Sequence, residues 1–403
     1  MTIRALLAAL CLLLAPLAAA RAQAPAAVER QIMVMLRLAP PHLRAGADYG
    51  GGYGDDAARG ARARIAARLA RAHGLALVTN WAMPILGVDC FIMTVPGGRS
   101  VDAAAAEIAR DPQVSWSEPV GLYSAQAQAG KAGAGHDDAL FAAQPAAAIW
   151  HLAALHAWRT GKGVSVAVID SGVDARHPDL AGQIALSRNF VDGAAVPENH
   201  GTAIAGIIAA RADNKVGIAG IAPGARILAL RACWQRAAQT LCDSLSLAKA
   251  IQFAIEQRVP ILNLSLAGPP GRLLTSLLRI GLDRGLTVVA AYDPALADGG
   301  FPASMPGVVA VSDNADRLAN RSVYSAPGRD VPAPAPGGRW SLVDGSSFSA
   351  AHVSGLFALL REKPGMPLRL AASRSAGGDI DICATFAPSG APAGCGGLAG
   401  PAR

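Results

Sequence analysis

The chain has 403 residues, of which 52% are hydrophobic, and a formal net charge of +7. A chain of this length and hydrophobic content can bury a large core, which excludes a disordered scaffold and suggests two or three domains. The charge does not indicate a nucleic-acid partner, because the densest basic run, residues 59–71, spaces its arginines along an amphipathic helix without interleaved aromatic residues.

The first 22 residues are typical of an export signal. Arg4 supplies the positive start, residues 5–20 are almost wholly apolar, and residues 20–22 (ARA) offer small side chains for cleavage. The apolar run is short for a membrane crossing, and no second candidate span follows it. We therefore expect a signal peptide over residues 1–22, a periplasmic or extracellular protein, and no stable membrane span.

Residues 23–125 predict a small α+β domain. The pattern is a strand, a helix, two strands, a helix and a strand, at residues 30–38, 58–72, 75–79, 89–95, 101–110 and 114–119. This order is typical of a ferredoxin-like domain. Residues 126–147 are rich in Ala, Gly and Gln without periodicity, which predicts an exposed linker that a protease could cut.

From residue 148 to 365, buried strands alternate with helices. The predicted strands are 164–169, 226–229, 259–264 and 287–291, and the predicted helices include 202–210 and 245–257. Such alternation implies an α/β fold with a parallel sheet covered by helices on both faces, and an active site at the carboxyl ends of its strands. Residues 366–403 form a C-terminal tail without a recognisable sorting motif.

Export makes the cysteines interpretable, because disulfides persist outside the cytoplasm. The expected pairs are Cys233 with Cys242, closing a short loop, and Cys383 with Cys395, stapling the tail. Cys90 would then remain a single thiol. Spacing does not prove this connectivity, and a structural zinc site is the alternative, although the chain has no CxxC pair.

Three residues at the ends of predicted elements could carry chemistry. Asp170 ends a predicted strand, His200 directly precedes an apolar helix, and Ser347 follows a glycine-led turn at the start of another helix. A helix N-terminus favours a developing negative charge, as acyl transfer requires. Each residue alone has a structural alternative, namely a turn residue, a core histidine and an N-cap serine.

The three residues occur in the order Asp, His, Ser with further motifs around them. The motifs are residues 168–173 (VIDSGV), 177–180 (HPDL), 200–202 (HGT), 220–223 (GIAP) and 345–355 (GSSFSAAHVSG). Together they resemble the subtilisin-type serine peptidase (subtilase) family over roughly residues 150–365. The resemblance implies a secreted endopeptidase that needs no cofactor for its chemistry, with Ser347 as nucleophile, His200 as base and Asp170 as the carboxylate that orients His200.

The resemblance also implies partners and further site residues. A protein or peptide substrate would lie extended against Leu266, Ala267 and Gly268. His177 and His352 match positions that are structural in the family. The domain at 23–125 resembles the family's inhibitory, folding-assisting prodomain through its position and element order. We expect a monomer that is matured by cleavage of this prodomain.

The sequence departs from the family at the oxyanion position. Asp293 stands where most relatives carry an Asn, and an ionised Asp cannot donate the hydrogen bond to the oxyanion. Loss of such a donor costs on the order of 10²–10³ in turnover within this family. Either Asp293 stays protonated, or the Ser347 backbone N–H and a neighbouring group suffice. Asp293 therefore also leaves open a catalytically silent subtilase fold that serves as a binding or export partner.

Two further alternatives concern a metal ion and a different enzyme class. Residues 213–218 (DNKVGI) resemble a family calcium loop, with Asn214 and the carbonyls of Val216 and Ile218 as ligands. The loop is short and has few carboxylates, so an ordinary turn is the alternative to structural calcium. An α/β-hydrolase esterase is disfavoured, because it places its nucleophile first in the chain and within a Gly-x-Ser-x-Gly elbow.

Overall fold

The computed structural model describes residues 28–37, 53–124, 128–130, 137–237, 239–314, 323–372 and 378–390. The predicted signal peptide and Cys395 lie outside these ranges. Within them, no helix is both long enough and apolar enough to span a membrane.

The first domain is a four-stranded antiparallel sheet with two helices. The elements are β1 (Gln31–Arg37), α1 (Tyr53–Ala72), β2 (Ala76–Met83), β3 (Val88–Thr94), α2 (Val101–Ile108) and β4 (Val114–Pro119). The spatial order β2-β3-β1-β4 with antiparallel neighbours is ferredoxin-like, as the sequence predicts. The side chain of Ser100 caps α2 by accepting the Ala103 N–H.

The second domain surrounds a seven-stranded sheet. The strands are β7 (Ser165–Asp170), β8 (Ile184–Asn189), β9 (Arg226–Arg231), β12 (Ile261–Leu264), β13 (Thr287–Ala291), β14 (Val309–Ser312) and β15 (Val323–Ser325). Their spatial order is β15-β14-β13-β12-β7-β9-β8, and every neighbouring pair is parallel. The helices are α3 (Pro145–Ile149), α4 (Leu152–Trp158), α5 (Asn199–Ala209), α6 (Ser244–Glu256), α7 (Arg272–Asp283), α8 (Ser346–Arg361) and α9 (Ile382–Phe386). The predicted α/β class is confirmed.

Helices cover both faces of this sheet, because alternate residues of each buried strand are apolar on both sides. Val166 and Val168 of β7 pack with α5 and α8, whereas Ala167 and Ile169 pack with α6 and α7. Nearly every residue of α5 is buried, which suits its small and apolar sequence. Two buried helices, α5 and α8, each carry one predicted site residue as their second residue.

The two domains share a hydrophobic core. Ile32 and Val34 of β1 pack under the helices of the first domain, whereas Met33, Met35 and Cys90 point to the other face of the sheet and join the core formed by α6 and α7. The first domain therefore docks through its open sheet face.

Several short antiparallel strands lie outside the main sheet. They are β5 (Leu122–Ser124), β6 (Gln128–Gly130), β10 (Cys233–Arg236), β11 (Gln239–Asp243), β16 (Val331–Ala335), β17 (Arg339–Asp344), β18 (Ala371–Ala372) and β19 (Ile380–Asp381). The β10–β11 hairpin contains the predicted Cys233–Cys242 disulfide, while Cys90 is a buried free thiol. β5 pairs with β11, and β6 pairs with β17.

The predicted exposed linker is shorter than the sequence suggests. Residues 137–147 pack onto the second domain, and Asp138, Phe141 and Gln144 are buried there. The Gln144 side chain exchanges two hydrogen bonds with the backbone of Ala219, at 2.8 and 2.9 Å. The prediction of exposure was wrong for this half of the segment, because its burial depends on partners about 75 residues away rather than on local periodicity.

Candidate active site

Asp170 and His200 meet at the carboxyl end of the parallel sheet. Asp170 is the last residue of β7, and His200 is the second residue of α5. The His200 Nδ1 lies 2.7 Å from the Asp170 Oδ1, and both side chains are almost completely buried. A β-carbon on Gly201 would overlap the Ser171 carbonyl, so the glycine after His200 permits this close approach of the helix to the turn.

Ser347 lies in the first turn of α8. The N-cap residue Gly345 has φ of 130°, a conformation that favours glycine and explains the glycine-led turn before the serine. The N–H groups of a first helical turn have no intrahelical acceptor and carry partial positive charge. The Ser347 Oγ donates to the Ser265 carbonyl at 3.0 Å, and the Ser265 Oγ donates to the Ser347 carbonyl at 2.8 Å.

The second nitrogen of His200 is available for proton transfer. His200 Nε2 is buried and has no hydrogen-bond partner among the described residues. The imidazole packs against Phe348, the residue after Ser347, with 5.4 Å between ring centroids. The imidazole therefore lies beside the start of α8, although the Ser347 hydroxyl is bonded to Ser265 and not to the imidazole. Hydrogen bonds between catalytic groups are often long in structures without substrate and tighten when substrate binds.

Asp293 follows β13 by two residues and acts as an acceptor in its own turn. Its Oδ1 accepts the Ala295 N–H at 2.9 Å, and its backbone N–H donates to the Gly299 carbonyl at 2.9 Å. Both bonds stay within the turn that follows β13.

The predicted substrate-binding segment borders the space between Gly268 and β11, which β5 occupies. We refer to this space as the peptide slot. Leu266 and Ala267 are buried, and Gly268 exchanges hydrogen bonds of 2.9 and 3.1 Å with the backbone of Phe301. β12 ends at Leu264, so the predicted substrate-binding segment follows directly after a strand of the main sheet. The Tyr123 ring rests on Gly268, where a β-carbon would overlap it. β5 thus lies between Gly268 and β11.

The two histidines assigned structural positions are held by backbone groups. His177 Nε2 lies 2.8 Å from the Arg339 carbonyl, and its Nδ1 accepts the Asp179 N–H. His352 Nδ1 lies 2.8 Å from the Phe348 carbonyl, and burial lowers the pKa of His352 to about 4. The partners in these bonds are backbone groups, and none of the bonds connects either ring to Asp170 or Ser347.

The predicted calcium loop is a hydrogen-bonded turn in this structure. The Asn214 Oδ1 accepts the Val216 N–H at 3.0 Å, and the Ile218 N–H donates to the Asp179 carboxylate at 3.1 Å. Within the described residues there is no group of three or more His, Cys, Asp or Glu side chains placed to hold a metal ion.

Two buried carboxylates nevertheless converge on this loop, although the sequence predicted neither of them there. Asp138 accepts the N–H groups of Asp213 and Asn214, and Asp179 accepts the Trp340 Nε1–H at 2.6 Å. Both carboxylates are inaccessible to solvent, and burial raises the pKa of Asp179. Carboxylate and amide oxygens are the ligands that Ca²⁺ prefers, so the residue types suit calcium. In this structure, however, these oxygens accept N–H groups.

A parallel α/β sheet with an Asp–His pair at its carboxyl edge and a later serine at a buried helix start is the arrangement of subtilisin-type proteins. The chain belongs to the Subtilase family, whose sequence profile matches residues 161–370.

Known relatives match about half of the chain. The "Thermophilic serine proteinase" of Bacillus sp. (strain AK1) is 40% identical over 221 residues, covering 51% of this chain and 54% of that protein. Thermitase of Thermoactinomyces vulgaris is 35% identical over 214 residues, covering 50% of this chain and 75% of thermitase. The chain thus spans about half the length of the first relative.

The fold extends beyond the matched sequence. The crystal structure of fervidolysin from Fervidobacterium pennivorans, a keratinolytic enzyme related to subtilisin, superposes with a TM-score of 0.65 at 20% identity. The superposition covers 89% of this chain and 61% of fervidolysin.

Proposed function

We propose that this protein is a serine endopeptidase that hydrolyses peptide bonds through an acyl-enzyme. The observation that carries the proposal is the 2.7 Å contact between His200 Nδ1 and Asp170 Oδ1, beside the helix start that bears Ser347. The names of the relatives, a serine proteinase and thermitase, support the same chemistry. No cofactor is required for it.

In the proposed reaction the Ser347 Oγ attacks the substrate carbonyl carbon while its proton passes to His200 Nε2. Asp170 accepts the Nδ1–H, fixes the tautomer and stabilises the imidazolium. The backbone N–H of Ser347 would hold the oxyanion at the start of α8. His200 then protonates the leaving amine, and a water molecule hydrolyses the acyl-enzyme with His200 again as base.

We also propose that residues 23–125 are an inhibitory prodomain removed by the enzyme itself. β5 fills the slot between β11 and Gly268, as an extended substrate would. A few residues later, β6 pairs with β17, which ends at Asp344 just before the nucleophile. The two flanking strands, β5 and β6, support cleavage between Ser124 and Gln128. We further propose that the protein is a monomer exported to the periplasm or the extracellular space.

Structural calcium is a further part of the proposal. Asn214 and the backbone carbonyls of Val216 and Ile218 would be ligands of the ion. The buried carboxylates of Asp138 and Asp179 border the same loop and would be neutralised by the ion. A chelator should then lower the melting temperature of the protein, and Asp138→Asn should remove that sensitivity. An unchanged melting temperature in the chelator would favour the ordinary turn.

The activity is tested with the full chain and two variants, Ser347→Ala and Ser349→Ala. Ser349 is a matched control, because it is a buried serine in the same helix whose Oγ donates to the Ala326 carbonyl. Each protein is incubated with an unstructured casein-like substrate and followed by mass spectrometry.

We expect the wild type and the Ser349→Ala variant to trim themselves between Ser124 and Gln128 and to cut the substrate. The Ser347→Ala variant should stay intact. If the wild type cuts nothing at any pH, the enzyme assignment fails, and the acceptor role of Asp293 would favour the silent binding partner.

A further inference from the structure

The carboxylate of Glu198, two residues before the base, is a hydrogen-bonding centre. Glu198 is the N-cap residue of α5 and is 8% exposed. Its Oε2 accepts the N–H of Gly172 at 2.6 Å. Gly172 lies in the turn directly after Asp170. Its backbone N–H also donates to the Gly172 carbonyl at 2.8 Å. Glu198 therefore ties the turn that carries the acid to the helix that carries the base.

The same carboxylate forms a buried ion pair with Arg231. Arg231 Nε lies 2.9 Å from Glu198 Oε2, and Arg231 Nη2 donates to Glu198 Oε1 at 3.3 Å. Arg231 ends β9 directly opposite Asp170 in the parallel register. A planar guanidinium holding a carboxylate through two bonds fixes both position and orientation.

Glu198 also bonds to the β10–β11 hairpin, which forms one wall of the peptide slot. The Gln235 N–H of β10 donates to Glu198 Oε1 at 2.7 Å, and the Asn199 N–H donates to the Gln235 side chain at 3.1 Å. β10 is paired with β11, the strand on which β5 lies. Glu198 thus connects the acid, the base and one wall of the peptide slot.

Gly172 and Arg231 line an open pocket of about 350 Å³ beside the Asp170 turn. Toward α5 the turn is closely packed, because a β-carbon on Gly172 would overlap the Val196 carbonyl and approach the Glu198 carboxylate. The hydrogen bonds of Glu198 therefore fix the turn where it approaches the start of α5.

We propose that Glu198, held by Arg231, is a positioning residue that sets the Asp170–His200 geometry for catalysis. The inference rests on the proposed peptidase function. Neither side chain would touch the substrate or transfer a proton, so their contribution is to hold His200 and Asp170 in the reactive arrangement. Small displacements of such groups reduce turnover strongly.

The test compares Glu198→Gln and Arg231→Lys with Glu362→Gln in the full chain. Glu362 is a matched control, because its carboxylate also accepts two backbone N–H groups, those of Thr160 and Gly161 at 2.8 and 2.7 Å, far along α8 from the serine. Steady-state kinetics give kcat and KM separately. Proton NMR follows the Nδ1 proton shared by His200 and Asp170, a signal that a general loss of stability would not move.

We expect both site variants to lower kcat by about 10–100-fold. KM should change less, since the disulfide also holds the hairpin. The shared proton signal should shift or broaden in both, and Glu362→Gln should match the wild type. A kcat within about twofold of the control, with an unmoved signal, would overturn the proposal.

Two results would change how the test is interpreted: a Glu198→Gln variant that does not fold, and a wild type without peptidase activity. If Glu198→Gln does not fold, the kinetics and the proton signal of Arg231→Lys alone test the proposal. This variant keeps the positive charge and loses only the planar guanidinium that holds the Glu198 carboxylate through two bonds. If the wild type shows no cleavage that depends on Ser347, the proposed function fails. The shared proton signal then still decides whether Glu198 positions the pair.

Discussion

The ring of Tyr123 lies directly on the backbone of Gly268, so that a β-carbon at position 268 would overlap it. Tyr123 is also buried against Phe301, with 6.4 Å between ring centroids. This contact joins the end of the first domain to the slot in which we expect substrates to bind. The absence of a side chain at Gly268 is therefore a requirement for docking of the first domain.

Gly268→Ala should loosen this docking, whereas Gly271→Ala should not. A β-carbon on Gly271 would lie 3.7 Å from the Tyr123 hydroxyl, an ordinary contact. The readout is thiol labelling of Cys90 in a Ser347→Ala background, which cannot cleave itself if Ser347 is the nucleophile. Cys90 lies in the core between the domains, and burial raises its pKa to about 12.

We expect slow labelling in the parent and in Gly271→Ala, and labelling at least about tenfold faster in Gly268→Ala, because only the thiolate of an accessible thiol reacts. Equal labelling in all three proteins would mean that the Tyr123 contact does not control docking.

Asp293→Asn should raise turnover. An amide at this position can donate a hydrogen bond to the oxyanion, which an ionised carboxylate cannot. We expect kcat to rise by about tenfold or more with KM unchanged, given the size of such donor effects. Asp298→Asn is the control, since Asp298 is in the same loop and also accepts a backbone N–H, that of Gly300 at 2.9 Å. A kcat that is unchanged or lower in Asp293→Asn would show that backbone donors already carry the oxyanion.

Removal of the Cys233–Cys242 disulfide by a double alanine substitution should affect substrate binding more than chemistry. Cys242 lies opposite Tyr123 in the β5–β11 register, so the disulfide supports the wall of the peptide slot. We expect KM to rise severalfold with little change in kcat. The free energy of unfolding should fall by about 2–3 kcal/mol, because the closed loop is short.

Peptidase kinetics and urea unfolding measure the two effects, and Cys90→Ala serves as the control that keeps the disulfide. A loss confined to kcat would contradict the assignment of the hairpin to substrate binding.

His352 should make the protein less stable in acid. Its pKa is about 4 in the folded state and 6.5 in the unfolded chain, because burial disfavours the imidazolium. The unfolded state therefore binds more protons between these values, so the stability due to neutral His352 is present above pH 6.5 and is lost as the pH falls toward 4. The expected loss is about 3 kcal/mol.

His352→Gln should flatten the fall in the free energy of unfolding over this pH range. Urea unfolding at several pH values measures it, and the exposed His151→Gln is the control. Parallel curves for the wild type and His352→Gln would exclude His352 as the titrating group.

Local sequence patterns were enough to predict most elements of both domains. The alternation of apolar residues in β7 and the small apolar residues of α5 and α8 carry their own periodicity, and glycines at 201 and 345 fix the turns around the site. The motifs around Asp170, His200 and Ser347 predicted which strand and helix ends would meet. Short spacing favoured the Cys233–Cys242 pair, which the structure contains.

What the sequence by itself determined was the order of elements and the family, together with Asp170, His200 and Ser347 as the candidates for the reaction. Only the tertiary structure decided that Glu198 meets Arg231, that Asp138 is buried beside residues 213–218, and that Tyr123 covers Gly268. These contacts join residues from 33 to about 145 positions apart and leave no periodic signal. They form because buried charges and backbone donors must find partners once the sheet and helices have assembled.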